Sequence, residues 1–281
     1  MVLDILQFAF VQRALVTGIA VAIVCSAIGL FLVLRRHSLF GDALSHVAFG
    51  GIAIGLFTNI YPIWTAIVVS VLAALGMTKL RQSARIPPDA TVAVLLSAGL
   101  ASGVVLVSIS EQIPRVDLLS FLFGSILLVS TDEVLMILAL SAGIMAILIP
   151  LYKRFMYITF DEDQAKVSGL AVSKLNYLFI VLASIAVIAS IRLVGILLIS
   201  SLIVLPNITA MLLGKGFRKT AVISASMAAS SVVAGILISY AANIATGGTI
   251  VLVLVAMFLA TLGITRIQKR TTRVESIKAA A

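Results

Sequence analysis

The sequence predicts an all-α, polytopic membrane protein, and three observations carry that prediction. Hydrophobic residues fill 62% of the 281 positions and charged residues only 11%, whereas a soluble domain is about half apolar and about a quarter charged. The apolar residues fall in runs of about 20, the length that crosses a bilayer core. The charges gather in short clusters between those runs. A backbone in lipid must satisfy its own hydrogen bonds, so runs of this length read as helices.

Taken in order, the runs predict nine spans, at 10–34, 39–57, 61–79, 90–110, 132–152, 173–191, 195–213, 219–242 and 249–266. The stretch VDLLSFLFGSILLVS at 116–130 is apolar but short, and suits a re-entrant or tilted helix. The break near Arg192 is weak, so the count runs from eight to ten. No polar gap is long enough for a soluble domain, and a single membrane domain fills 1–281. The first run follows Arg13 and continues to full span length, which marks a span, not a cleaved leader.

The net charge of +9 is distributed as the positive-inside rule distributes it. With 35–38, 79–89, 153–174, 214–219 and a basic tail from Arg266 to Ala281 placed in the cytoplasm, those segments hold seventeen of the 20 Lys and Arg residues. That arrangement puts the N-terminus outside and the C-terminus inside. No continuous basic face exists, so nucleic acid is excluded as a partner. Cys25 is the only cysteine, which rules out an internal disulfide and a cysteine zinc cluster, and it reads as packing.

One cytoplasmic segment differs from a simple turn. MYITFDEDQAKVSGLAVSKLNY, 156–177, is too polar to span. Asp161, Glu162 and Asp163 open it as acidic residues open a helix, and Gly169 closes it. A short helix lying at the cytoplasmic face is expected.

The stretch LRRHSLFGDALSHVAFGGIAIG, 34–55, sets Asp42 and His46 one helical turn apart inside an apolar run. Ionisable residues within spans carry an insertion cost of about 2.5–3.5 kcal/mol and are functional candidates by default. The other acidic residues sit at loops, span ends or the cytoplasmic segment, and His37 lies beside Arg35 and Arg36 at the interface. Gly41, Ser45, Ala48, Gly51 and Gly55 are expected on the same face, where small residues admit a neighbouring helix. A carboxylate and an imidazole together suit a divalent ion such as zinc or manganese. A structural Asp–His hydrogen bond and a proton relay remain alternatives. Two ligands hold a transition ion only weakly, so a second copy completes the site or the contact is transient.

Other signals are weaker. VGILLISSLIVLPNITAML, 194–212, places Pro206 and Asn207 within a span, where a kink or a pathway lining is expected. ATGGTIVLVLVAMF, 245–258, opens on a Gly pair that reads as a tight extracellular turn. No G-x-x-x-x-G-K-[ST], H-E-x-x-H or G-x-S-x-G occurs, so neither a P-loop ATPase nor those hydrolase sites are expected.

These blocks together resemble the membrane permeases of bacterial and archaeal ABC importers for zinc, manganese and iron(II), over nearly the full chain. LRRHSLFGDALSHVAFGGIAIG contains the family's Gly-Asp-Ala-x-Ser-His core. PPDATVAVLLSAGLASGVVLVS, DLLSFLFGSILLVS, FDEDQAKVSGL, VGILLISSLIVLPNITA and GGTIVLVLVAMF follow in the family's order. The family usually has a proline soon after the histidine, where this chain has Phe49 and Gly50.

The resemblance implies a homodimeric permease of a plasma membrane that binds no cofactor itself. ATP and magnesium belong to separate cytoplasmic ATPase subunits, and an extracytoplasmic binding protein delivers the metal. It implies metal contact at Asp42 and His46, and ATPase coupling through Phe160, Asp161, Glu162, Asp163, Gln164, Ala165 and Gly169. Gly50, Gly51, Pro206 and Asn207 become weaker pathway or hinge candidates. A permease for metal chelates is the close rival, although a wide pathway needs no ionisable ligands. A proton-coupled carrier would usually show two related halves, and none is found. An enzyme is the least favoured class.

Overall fold

The computed structural model describes residues 8–84, 87–109, 121–124, 130–196 and 199–280. Among them the chain forms α1 (Ala9–Leu34), α2 (Phe40–Thr58), α3 (Pro62–Ala84), α4 (Pro88–Ile109), α5 (Thr131–Phe160), α6 (Glu162–Val167), α7 (Val172–Val194), α8 (Ile199–Leu212), α9 (Phe217–Ala242) and α10 (Thr246–Ala280), with no strand. Eight of these are long and apolar enough to cross a membrane. They match eight of the nine predicted spans.

The exception is the span expected at 195–213. Its helix, α8, has 14 residues and is about 21 Å long at 1.5 Å per residue, short of the ~30 Å core. Gly195 ends α7 at φ +85°, a conformation that side-chain-bearing residues rarely adopt. A Cβ there would lie 2.5 Å from Leu122 O and from Phe123 C, so residues 121–124 pack directly on this break. The rest of the short 116–130 stretch lies outside the described residues. The Gly pair at 247–248 is also placed differently from expectation. Asn243 makes the turn at φ 52°, and both glycines fall in the first turn of α10.

Burial sorts the bundle. About two thirds of the apolar windows of α1 and α2, and 61% of that of α7, are buried, against 22% for α3 and α4 and 17% for α10. The first three form the centre, and the others present apolar faces outward, as spans facing lipid or another chain do. α1 packs on α5, α7, α8 and α9, while α2 is held between α3 and α4. Phe31 of α1 gathers Tyr152 and Phe155 of α5, Phe179 of α7 and Phe217 of α9 at ring separations of 5.6–6.2 Å. Contacts of this kind hold membrane helices together, because lipid offers no hydrophobic drive for association.

The two ends of the bundle are distinct. At one, Arg13 donates to Thr131 Oγ1 (3.0 Å) and Tyr61 to Glu133 Oε1 (2.9 Å). At the other, Arg35 meets Thr159 and Asn176, and Phe160 stacks edge-on against Phe217. The described residues of the five predicted basic segments lie at helix ends on that second side.

Candidate metal-contact and coupling sites

Asp42 lies in the first turn of α2 and His46 one turn further in. The helix N-terminus carries partial positive charge, which favours a carboxylate at that position. This lowers the cost of an ionised side chain inside an apolar run. His46 Nε2 lies 3.9 Å from Asp42 Oδ1, with side-chain exposures of 15% and 26%. That separation is too long for a hydrogen bond, so the pair does not lock the helix as a structural Asp–His bond does. It is short enough to bridge: an ion with ligand distances of about 2.0–2.2 Å reaches two donors up to about 4.2 Å apart. His46 Nδ1 is buried and has no hydrogen-bond partner among the described residues.

Neighbouring helices fix this turn by backbone contact. A Cβ on Gly99 of α4 would sit 2.5 Å from Val47 N and 2.7 Å from His46 C. A Cβ on Gly50 would meet Ser102 Oγ at 2.6 Å, and one on Gly51 would meet Ala66 Cα of α3 at 2.7 Å. α2 runs unbroken through both residues. Gly50 and Gly51 are therefore close-approach positions against α4 and α3. The expected single small-residue face also needs correction. Gly51 and Gly55 pack on α3 at Ala66, Thr65 and Pro62. At 100° per residue they lie roughly 140–180° round the helix from Asp42. The Asp–His pair faces another way, half-exposed.

Asn207 is fully buried in α8, with Nδ2 donating to Ile203 O (2.7 Å) and Oδ1 accepting from Ser224 Oγ (2.7 Å). Ser26 Oγ donates to Ser224 Oγ at 2.8 Å, which joins α1, α8 and α9. Asn207 is thus a packing joint in this structure, and Pro206 is buried inside α8 without ending it. Among the described residues no group of three or more His, Cys, Asp or Glu gathers anywhere.

The acidic segment forms a helix, more compact than 156–177. Met156–Phe160 completes the 30-residue α5, and residues from Val172 begin α7. Between them α6 has six residues, opened by Asp161, whose Oδ1 accepts from Gln164 N at 2.9 Å. Lys166 pairs with Glu162 and Asp163, each at 3.2 Å. Leu170 N donates to Ala165 O and Gly169 N to Lys166 O, both at 3.1 Å, with Gly169 at φ +79°. These are the paired bonds of a Schellman stop. Ala165 is buried, while Val167 is 90% exposed and Phe160 65%. The segment is anchored at its centre and shows apolar side chains outward.

The residue that sequence reasoning missed is Arg35, read only as a loop charge. Its Nε donates to Thr159 Oγ1 and its Nη1 to Asn176 Oδ1, both at 2.9 Å, and its guanidinium lies 4.9 Å from the centre of the Phe179 ring. Burial pulls its pKa below the ordinary value, and nearby Glu162 partly offsets this. A cleft of about 750 Å³ opens beside it, lined also by Phe40, Thr78, Thr91 and Glu162. Asp42 and His46 do not line that cleft.

Residues 7–265 match the ABC 3 transport family. The chain belongs to that family. A Treponema pallidum protein named "Probable metal transport system membrane protein" is 34% identical over 95% of this chain and all of its own length. The Listeria monocytogenes manganese transport system membrane protein MntC is 32% identical over 90% of each. Among solved structures, PsaBC from Streptococcus pneumoniae in complex with Fab aligns with a TM-score of 0.84 at 32% identity, covering 92% of this chain and 94% of its own. A metal-chelate type ABC transporter in an inward-facing conformation aligns at 0.69 over 89% of this chain and 84% of its own. At 17% identity, that likeness concerns the fold alone. The all-α polytopic architecture is thus that of a transport family.

Proposed function

We propose that this chain is the membrane permease subunit of an ATP-driven importer for a divalent transition metal: manganese, zinc or iron(II). The observation that carries the reading is the Asp42–His46 pair, two unlike donors 3.9 Å apart on a half-exposed face of a buried helix. Membership in the ABC 3 transport family and the manganese carriers among its relatives support it. Charged side chains are costly against lipid, so this face turns toward a second copy of the chain, whose pair supplies two more donors. Four donors from two copies hold an ion long enough to strip its water and release it.

The basic end of the bundle is the cytoplasmic end, as the positive-inside rule assigns it. There α6, with Phe160, Asp161, Glu162, Asp163, Gln164, Ala165 and Gly169, docks on a separate ATPase subunit that holds ATP and magnesium. Val167 and Phe160 provide exposed apolar contact. An extracytoplasmic metal-binding protein delivers the ion at the opposite face, in the plasma membrane of a bacterium or archaeon.

Purified permease and ATPase, reconstituted in vesicles, test the reading. Metal entry should require ATP on the ATPase side and stop in an Asp42→Ala, His46→Ala double variant. Entry driven by a proton gradient without the ATPase would make the chain a secondary carrier instead.

A further inference from the structure

Arg35 sits where three parts of the chain meet. It caps α1, and only four residues, Arg36 to Leu39, separate it from α2. That connection is stiff. Arg36 N donates to Val33 O, His37 N to Leu32 O, and Phe40 N to His37 O, at 2.9–3.0 Å, with Arg36 held at φ 58°. Movement of Arg35 is therefore passed to the first turn of α2, where Asp42 lies.

The side chain of Arg35 reaches the two helices that flank α6. Thr159 is in the last turn of α5, three residues before Glu162, and Asn176 is near the start of α7. The Thr159 hydroxyl proton is given to Phe155 O at 2.7 Å, so its oxygen is free to accept from Arg35 Nε at 2.9 Å. Nη1 takes Asn176 Oδ1, and Phe179 supports the plane of the guanidinium. A planar fork can satisfy two acceptors in two directions at once, whereas a lysine ammonium on a flexible stem cannot hold both in that geometry. The adjoining cleft leaves space between α2 and the coupling end.

We propose that Arg35 is the positioning residue that fastens the coupling segment to the helix carrying Asp42 and His46, so that both move as one body. This rests on the reading of α6 as the ATPase contact. A push delivered to α6 reaches α5 and α7, and through Arg35 the α1–α2 turn, without crossing the core of the bundle.

The test uses the permease–ATPase complex in lipid vesicles, measuring ATP hydrolysis and metal uptake on the same preparation. Arg35→Lys keeps the charge, Thr159→Val removes one acceptor at nearly constant shape, and Thr159→Ser restores it. Losing a charge-assisted hydrogen bond should lower metal delivered per ATP about tenfold in Arg35→Lys and Thr159→Val, with hydrolysis within about twofold of the parent. Thr159→Ser should recover uptake. Parental metal per ATP in both defective variants would overturn the proposal. So would a proportional loss of hydrolysis and uptake with a detached ATPase, or a Thr159→Ser as impaired as Thr159→Val. Val167→Asp, at the exposed tip of α6, checks the underlying reading separately. An attached ATPase and parental uptake there would overturn the docking role of α6, a result that the Arg35 and Thr159 variants do not mimic.

Discussion

Gly99→Ala is the sharpest probe of how the Asp42–His46 turn is held. The new methyl carbon would lie 2.5 Å from Val47 N, 2.6 Å from Val47 Cα and 2.7 Å from His46 C. Ordinary contact needs about 3.5–4.0 Å, so α4 and α2 must separate by about 1 Å at the level of His46. The atoms in the way are backbone and cannot swing aside. Overpacking of this kind costs about 1–3 kcal/mol, and a misplacement of about 1 Å at a contact residue can lower turnover by up to about 100-fold. Uptake per permease molecule, measured at matched membrane levels, should therefore fall about tenfold or more, with a lowered denaturation midpoint in detergent. Gly143→Ala and Gly263→Ala are the controls, since nothing lies within 4 Å of either added Cβ. Gly50→Ala should be milder, because the nearest atom it meets is the rotatable Ser102 hydroxyl. If Gly99→Ala matches Gly143→Ala in both uptake and stability, the close crossing of α2 and α4 is not what positions His46.

Further outcomes follow from individual contacts. Asn207→Leu removes two buried hydrogen bonds and should destabilise by about 1–3 kcal/mol, with the metal preference unchanged. A changed preference would put Asn207 on the ion's path. Asp161→Ala deletes the cap of α6, a loss of about 0.5–2 kcal/mol, and should weaken co-purification of the ATPase, while Asp161→Asn retains it. Parental co-purification of the Ala variant would contradict a docking role. At Gly169, φ +79° with open space around it makes conformation the only obstacle. Gly169→Ala should cost about 1–2 kcal/mol and loosen the same interaction, and Gly169→Asn less; equal effects would show that the turn tolerates another shape.

The parts of this structure set by local spacing were legible in the sequence. Asp42 and His46 share a turn because four residues nearly complete one, and α6 is bounded by Asp161 and Gly169, whose cap chemistry is local. Eight span positions followed from runs of apolar residues. What failed depended on phase or on distant contacts. Gly51 and Gly55 were placed beside Asp42, although nine residues are two and a half turns and point the opposite way. The close packing of residues 122–124 on Gly195 joins positions about 70 apart, which no run of hydropathy records. Arg35 looked like one of many loop charges, because its partners are 124 and 141 positions away. The bond from Ser224 Oγ to Asn207 Oδ1 spans 17 positions and is likewise invisible to local spacing.

The most direct measurement is elemental analysis of cells that depend on this permease and its ATPase, comparing the parent with Asp42→Asn. Manganese, zinc and iron(II) are supplied together at limiting levels. Asn is nearly isosteric but lacks the anionic charge that favours a divalent ion. A selective fall in one metal, with the variant present in the membrane at the parental level, is the expected result and would name the cargo. Unchanged accumulation of all three metals would remove Asp42 from the ion's path and contradict metal import through the Asp42–His46 pair.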